Sequence, residues 1–464
     1  FLLNKKRWVI WKPGIYWGII VAAVMTLVQI NFWPLFWMSY DTALSSQNFI
    51  LQNIIGFLGG FLISTLYLSL SFIAAESLTR KAFPEHVQLW KVWSKEGGAS
   101  IDVLGLTIGG YFLVGFNLSF VVIFYYITTT YLGWWVPSGP LLNPNVIATP
   151  LPWIMSIGIS LNAGFWEECL FRAVPIAGAA IIGQKYGKKK LFIGLALIFQ
   201  AIIFAAAHAN YPSMPAYSRL VELFIPSIVW GLIYIRFGLI PCIISHFTYD
   251  VILISIPIFI SSSSGVFANQ LIVILLTLVP LWILLFRRWN IGRWITLPNQ
   301  YYNKAFIPRE IKRTNIKPKE VKVESISDSY VRYLIGFGIG GLILLLVSEA
   351  PNYTNLKLEI NRSQALELAE QYLEENNIIL DNSWTPLTAL KGSLSADDRF
   401  IWQQRPDLYK NLIGSYLPNS QWRVRYAKFE GSLDAKTEEY FVLINHDGSL
   451  NKITHKVPEN KVGE

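Results

Sequence analysis

The chain has 464 residues, of which 53% are hydrophobic and 15% charged, with a net charge of +9. A soluble domain carries closer to about 25% charged residues, so the deficit argues against an ordinary water-soluble protein and points to lipid as solvent. The charge is also uneven. Residues 351–464 hold 13 Lys/Arg against 16 Asp/Glu, a net of −3, which leaves 26 against 14, a net of +12, for residues 1–350. A basic, mostly apolar half reads as membrane loops facing anionic lipid and not as a nucleic-acid surface.

The apolar residues cluster into runs of roughly 18 to 25, long enough to cross a hydrocarbon core. The chain begins at Phe1 rather than Met, so further sequence upstream is expected. Nine spans are expected, at about 14–34, 50–76, 102–127, 150–172, 191–209, 220–236, 239–260, 267–286 and 333–350. A short apolar stretch at 173–183 either extends the fourth span or forms an elbow, and Pro175 favours a kink there. Bases gather in alternate connections: Lys5, Lys6, Arg7 and Lys12; then Arg80, Lys81, Lys91 and Lys95; then Lys185, Lys188, Lys189 and Lys190; then Arg236; then Arg287, Arg288 and Arg293. Residues 39–49, 128–149 and 261–266 have none, and 210–219 has only Arg219. By the positive-inside rule the basic loops are cytoplasmic, and an odd number of spans puts residues 351–464 outside a plasma membrane of bacterial type.

The fold class expected is therefore an all-α polytopic membrane helical bundle of about nine spans with a small C-terminal soluble α+β domain. The parts are 1–100 (N-terminal spans and an amphipathic connector), 101–286 (the embedded core), 287–332 (a basic polar linker), 333–350 (a last span) and 351–464. In the tail, Ser363 is a candidate N-cap for a helix carrying Leu366, Leu368, Ala369, Tyr372 and Leu373 on one side. Residues 421–429 and 439–445 alternate like strands, and His446-Asp447-Gly448 reads as a turn into a last strand. Cys169 and Cys242 lie in apolar runs, so packing and not a disulfide is expected of each.

Charge at mid-bilayer costs about 2.5–3.5 kcal/mol per group, so each such residue needs a reason. Three clusters stand out. In Glu167-Glu168-Cys169-Leu170-Phe171-Arg172, a helix puts Glu168 and Arg172 on one face as a pair and leaves Glu167 turned by about 100° toward a cavity. In Phe204-Ala205-Ala206-Ala207-His208, small residues allow close helix approach and the His closes the span. In His246-Phe247-Thr248-Tyr249-Asp250, His and Asp share a face, as suits two ligands of one metal or two groups about one reacting atom. Read singly, each has a plain alternative: a buried ion pair, an interfacial His, an interhelical hydrogen bond. Read together, three helices carry costly groups that one cavity can bring together. A Glu there can activate water, and two His can polarise a carbonyl or hold a zinc ion that does so. HExxH, a nucleophile elbow and a P-loop are all absent.

The ordered set EExxxR, FxxxH and HxxxN/D on successive apolar helices resembles the CPBP family (Abi, or CAAX-processing and bacteriocin-processing) of intramembrane endopeptidases. The resemblance covers about 150–260. It implies Glu167 as the base acting with His208, with His246 and Asp250 as oxyanion stabilisers or metal ligands. Glu168 and Arg172 would serve mainly the fold, with Phe204 supporting. No cofactor is implied with certainty; zinc is the candidate, with Glu167, His208, His246 and Asp250 as its ligand set. Prenyl-processing members usually carry Asn where this chain has Asp250. The implied partners are a membrane-associated protein or peptide substrate and the lipid bilayer, with no nucleic acid. The competing readings are a proton- or ion-coupled transporter using the buried Glu, Arg and Asp residues, and an inactive scaffold whose tail binds a partner. Bland roles are expected for His86 (an interfacial segment with Trp90 and Trp93), for His446 and His455 (tail surface), and for Glu76 and Glu222 (span ends reaching headgroups).

Overall fold

The computed structural model describes residues 2–5, 7–135, 144–211, 213–307, 327–347, 358–391, 396–412, 415–417 and 420–459. Residues 308–326 of the expected linker, and the start of the tail at 351–357, lie outside the described residues. The chain is an integral membrane protein. Six helices are long and apolar enough to cross a membrane, or seven if one bent pair counts as a span.

These are α1 (Trp11–Asn31), α2 (Ser46–Ala82) and α3 (Ile101–Tyr131) in the first part of the chain. The next run starts with α4 (Pro152–Asn162), continues as a π-helix (Ala163–Ala173) and ends as α5 (Val174–Lys185). It is followed by α6 (Lys189–Ala207), α7 (Ser218–Phe237) and α8 (Leu239–Ile260), which complete the six, and by the bent pair α9 (Val266–Thr277) and α10 (Val279–Ile291). Hydroxyl caps start α2 and α3: Ser45 accepts from the Asn48 amide and Ser100 from the Val103 amide. Gly238, at φ +84°, makes the abrupt turn between α7 and α8 that a side chain would strain.

The nine-span count is not reproduced by length and apolarity. The expected fourth span is part of the unbroken run 152–185, whose charged residues depress its apolarity. Pro175 does not break that run; it lies where the π-helix gives way to α5, a junction at which the i→i−4 ladder is already interrupted by the i→i−5 bond of Val174 N–H to Cys169 O. The stretch 173–183 therefore extends the helix. The expected eighth span is not one rod. α9 and α10 meet at 58° across Leu278, because Pro280 lacks the N–H that would continue the ladder. The last apolar run forms α11 (Asp328–Val347), which lies against α3 in the same direction. Their contact is backbone on backbone: a Cβ on Gly115 would stand 2.2 Å from Gly338 O, and one on Gly341 only 1.8 Å from Gly115 O.

The basic loops meet at one end of the bundle. Arg80 donates to Trp8 O at 2.6 Å, Lys189 to Ala82 O at 3.1 Å and Arg287 to Trp93 O at 3.1 Å. His86 is not interfacial but buried, stacked on Phe83 and bonded to Ile235 O at 3.1 Å. That desolvation lowers its pKa to about 4, so it is neutral at pH 7.

The tail occupies the other end. It comprises α12 (Arg362–Glu375) and an antiparallel sheet in order β1-β2-β3-β4, formed by Thr385–Lys391, Gln421–Ala427, Glu439–Ile444 and Leu450–Lys456. Between β1 and β2 lie α13 (Ala396–Gln404) and α14 (Pro406–Leu412). The cap of α12 is Asn361, in a capping box with Gln364, and not Ser363. Trp422 is buried in the tail's core. The tail rests on the base-poor loops. Buried Arg425 pairs with Glu439 at 2.8 and 3.0 Å and donates to the carbonyls of Trp37, Met38 and Tyr40 at 3.0, 3.2 and 2.8 Å. Leu390 N donates to Asn145 Oδ1 and Ser262 N to Leu358 O.

Candidate active site

The π-helix packs closely on α8. A Cβ on Gly164 would lie 3.0 Å from Ile243 O and from Phe247 N, so only glycine allows this approach. The contact brings consecutive carboxyls to one imidazole. His246 Nδ1 lies 2.7 Å from Glu168 Oε1, while its Nε2 lies 3.8 Å from Glu167 Oε2 and 3.5 Å from Asp250 Oδ2. The third helix, α6, ends at Ala207 and presents His208 at its C-cap. His208 Nδ1 lies 2.8 Å from Phe204 O, an atom that only accepts, so Nδ1 carries the proton and Nε2 faces Glu167 Oε2 at 3.7 Å. Of the three alanines expected to permit close approach, Ala205 alone is buried.

The sequence-expected residues thus converge. Glu167, His208, His246 and Asp250 surround one point, and their side chains grade from 5% exposed at His246 to 15% at Glu167 and 21% at His208 and Asp250. The site is buried on one side and open on the other. Glu168 and Arg172 lie behind it, both side chains fully buried and 3.4 Å apart. Arg172 also lies 3.8 Å above the Phe204 ring and 5.1 Å from that of Trp230. Glu168 therefore does more than neutralise Arg172: it accepts from His246 Nδ1 and holds the angle of that ring.

Ligand atoms around a tetrahedral zinc stand roughly 3.3 Å apart. The separations here, 3.5 to 3.8 Å, are wider, and among the described residues no group of three or more His, Cys, Asp or Glu is arranged to hold a metal. The candidate set Glu167, His208, His246 and Asp250 does not fit a metal as it stands.

Two contributors escaped the sequence reading. Trp230 stacks on His246, with centroids 4.7 Å apart and planes at 20°; one Trp among 18 carries no local signal. The second is Glu222, which reaches no headgroup. It is buried, paired with Arg219 at 2.6 Å, and accepts from the Tyr125 hydroxyl. Arg219 lies 4.5 Å from the Tyr211 ring, which in turn stacks near His208. The signal was Arg219 itself, the lone base in an otherwise base-free loop.

Residues 149–252, which span all of these site residues except Tyr125, match the family model for type II CAAX prenyl endopeptidase, Rce1-like. That segment belongs to the CPBP/CAAX protease family. The family that this segment matches is one of membrane hydrolases, and the match does not favour transport. It leaves α1 to α3, the end of α8, all of α9 to α11 and the tail outside the family segment. No curated protein and no solved structure matches the chain.

Proposed function

We propose that the chain is an intramembrane endopeptidase in which Glu167 activates water for attack on a peptide carbonyl. The observation that carries this reading is one carboxylate oxygen, Glu167 Oε2, standing 3.7 and 3.8 Å from the Nε2 atoms of two histidines on two other helices. These separations exceed a hydrogen bond, so the three atoms can share one reacting oxygen between them. Water held by Glu167 and His208 adds to the carbonyl carbon and gives its proton to Glu167. His246, carrying protons on both nitrogens, donates through Nδ1 to Glu168 and through Nε2 to the developing oxyanion. Asp250, beside that Nε2, fixes the donor's direction. Collapse breaks the C–N bond, and Glu167 returns the proton to the leaving amine.

The proposal includes orientation: the tail lies outside the cytoplasm and the 184–190 loop within it. The support is that the tail contacts the base-poor loops, while the basic loops meet at the opposite end. α11, parallel to α3, carries the chain from one end to the other.

Glu167→Gln keeps size and removes the base, so cleavage of a quenched fluorescent peptide by the full chain in nanodiscs should fall by about 10²–10⁴-fold. Its thermal midpoint should stay at the wild-type value. A fully active Glu167→Gln enzyme refutes the assignment.

A further inference from the structure

Just beyond His208 lies a second feature outside the catalytic set. The loop that leaves α6 lines a half-open cavity of about 240 Å³, to whose wall the tail contributes one residue. Its wall includes Ala209 and Tyr211, and Tyr211 stacks near the His208 ring with centroids 6.3 Å apart. Trp135 and Met214 form its frame, joined by reciprocal backbone bonds of 2.9 and 2.8 Å. Arg399, on α13, comes from the tail. The volume compares with roughly 30 Å³ for one water, enough for one or two side chains.

The polar groups of this wall are donors. Arg399 is exposed and is the one charged residue lining the cavity among the described residues. Trp135 is 4% exposed, yet its indole N–H has no partner among the described residues. A buried donor left unpaired is costly, which favours a ligand that accepts from it. Ser213 Oγ accepts from Ser218 at 2.9 Å, which leaves its own proton to donate. No carboxylate lines the cavity among the described residues; Asp397, on the same helix, is not part of the wall.

We infer that this cavity is a substrate subsite for a carboxylate carried by the peptide, bound by Arg399 from the tail and by Trp135 and Ser213 from the membrane domain. The assignment rests on the endopeptidase reading, since a chain bound here runs past Tyr211 to His208. It makes the tail a part of the substrate site and not a separate recognition module. The carboxylate is either the peptide's C-terminus or an acidic side chain.

The test is binding, so that it does not depend on turnover. The full chain with Glu167→Gln, in nanodiscs of zwitterionic lipid, is titrated with three fluorescent apolar peptides followed by anisotropy. One ends in a free carboxylate, one is its C-terminal amide, and one is that amide with an internal Glu. At least one carboxylate peptide should bind about tenfold more tightly than the plain amide, and which one does so identifies the source. Arg399→Gln should erase the preference, Arg399→Lys should keep part of it, and Trp135→Phe should weaken it several-fold. Equal affinity for all three peptides, no binding of any, or a preference that survives Arg399→Gln overturns the subsite. A preference lost only in nanodiscs of anionic lipid would assign the cavity to a phosphate headgroup and also overturn it. Failure of the endopeptidase reading appears separately, as a wild-type chain that binds these peptides with the stated preference but whose cleavage is untouched by Glu167→Gln.

Discussion

Glu168→Gln offers the sharpest separation of fold from chemistry. The Glu168 side chain is fully buried, accepts from His246 Nδ1 at 2.7 Å and lies 3.4 Å from Arg172 Nε. With the carboxylate gone, the Arg172 guanidinium loses its i,i+4 counter-ion and keeps the more distant Glu167 and the faces of Phe204 and Trp230, at 3.8 and 5.1 Å. Such contacts supply about 0.5–2 kcal/mol, whereas breaking a buried ion pair costs about 3–5 kcal/mol. The variant should therefore lose on the order of 3 kcal/mol, seen as a thermal midpoint several degrees lower in detergent. Replacing both partners with apolar groups, Glu168→Leu with Arg172→Met, removes the unpaired charge and should recover most of that stability. Activity should not recover, because His246 Nδ1 then has no acceptor and the ring loses its orientation. A Glu168→Gln protein that melts with wild type refutes the energetic argument. A fully active double variant refutes the positioning one.

Arg425→Ala leaves Glu439 with Lys456 at 3.3 Å and frees three carbonyls of the 37–40 loop, so the tail should become sensitive to limited proteolysis while α1 to α10 stay protected; an unchanged digestion pattern would show that other contacts hold the tail. For orientation, an impermeant maleimide should label Lys452→Cys in intact cells and Lys188→Cys only after permeabilisation, with Cys169 and Cys242 silent because both are buried. The reverse pattern sinks the assigned topology. Asp250→Asn should retain activity, since the amide can still contact His246 Nε2 across the present 3.5 Å, and elemental analysis should find no stoichiometric zinc in the wild-type protein. Joint loss of bound zinc and activity in the variant would establish a metal site instead.

The convergence of Glu167, His208, His246 and Asp250 was legible because ionisable groups on apolar helices are costly and few, so their positions carry information that a surface charge does not. Helix positions were legible for the same reason, run length being tied to bilayer thickness. Other features had weaker sources. The bend at Leu278 follows from Pro280, a signal hidden inside a run whose mean apolarity still suits one span. The strand Thr385–Lys391 was not anticipated because Pro386 lowers its apparent strand character, yet as an edge of the sheet it tolerates a missing donor. The roles of Trp230 and Glu222 depend on which residues from distant segments lie beside them. Spacing along a single helix cannot report that.

The π-helical stretch Ala163–Ala173 carries a consequence for how this protein can vary. A π turn holds one residue more than an α turn, so its existence depends on the number of residues between its ends and not on the identity of most of them. Val174 N–H bonding back to Cys169 O marks the place where the surplus residue is absorbed. Deleting one residue between Ala163 and Glu167 would let the ladder relax to the narrower turn and rotate the two carboxyls relative to α8. One would then leave the His246 ring. The segment is thus a length-measuring device: exchanges at its lipid-facing positions should be tolerated, while a single-residue deletion should abolish function in a protein that still inserts and folds.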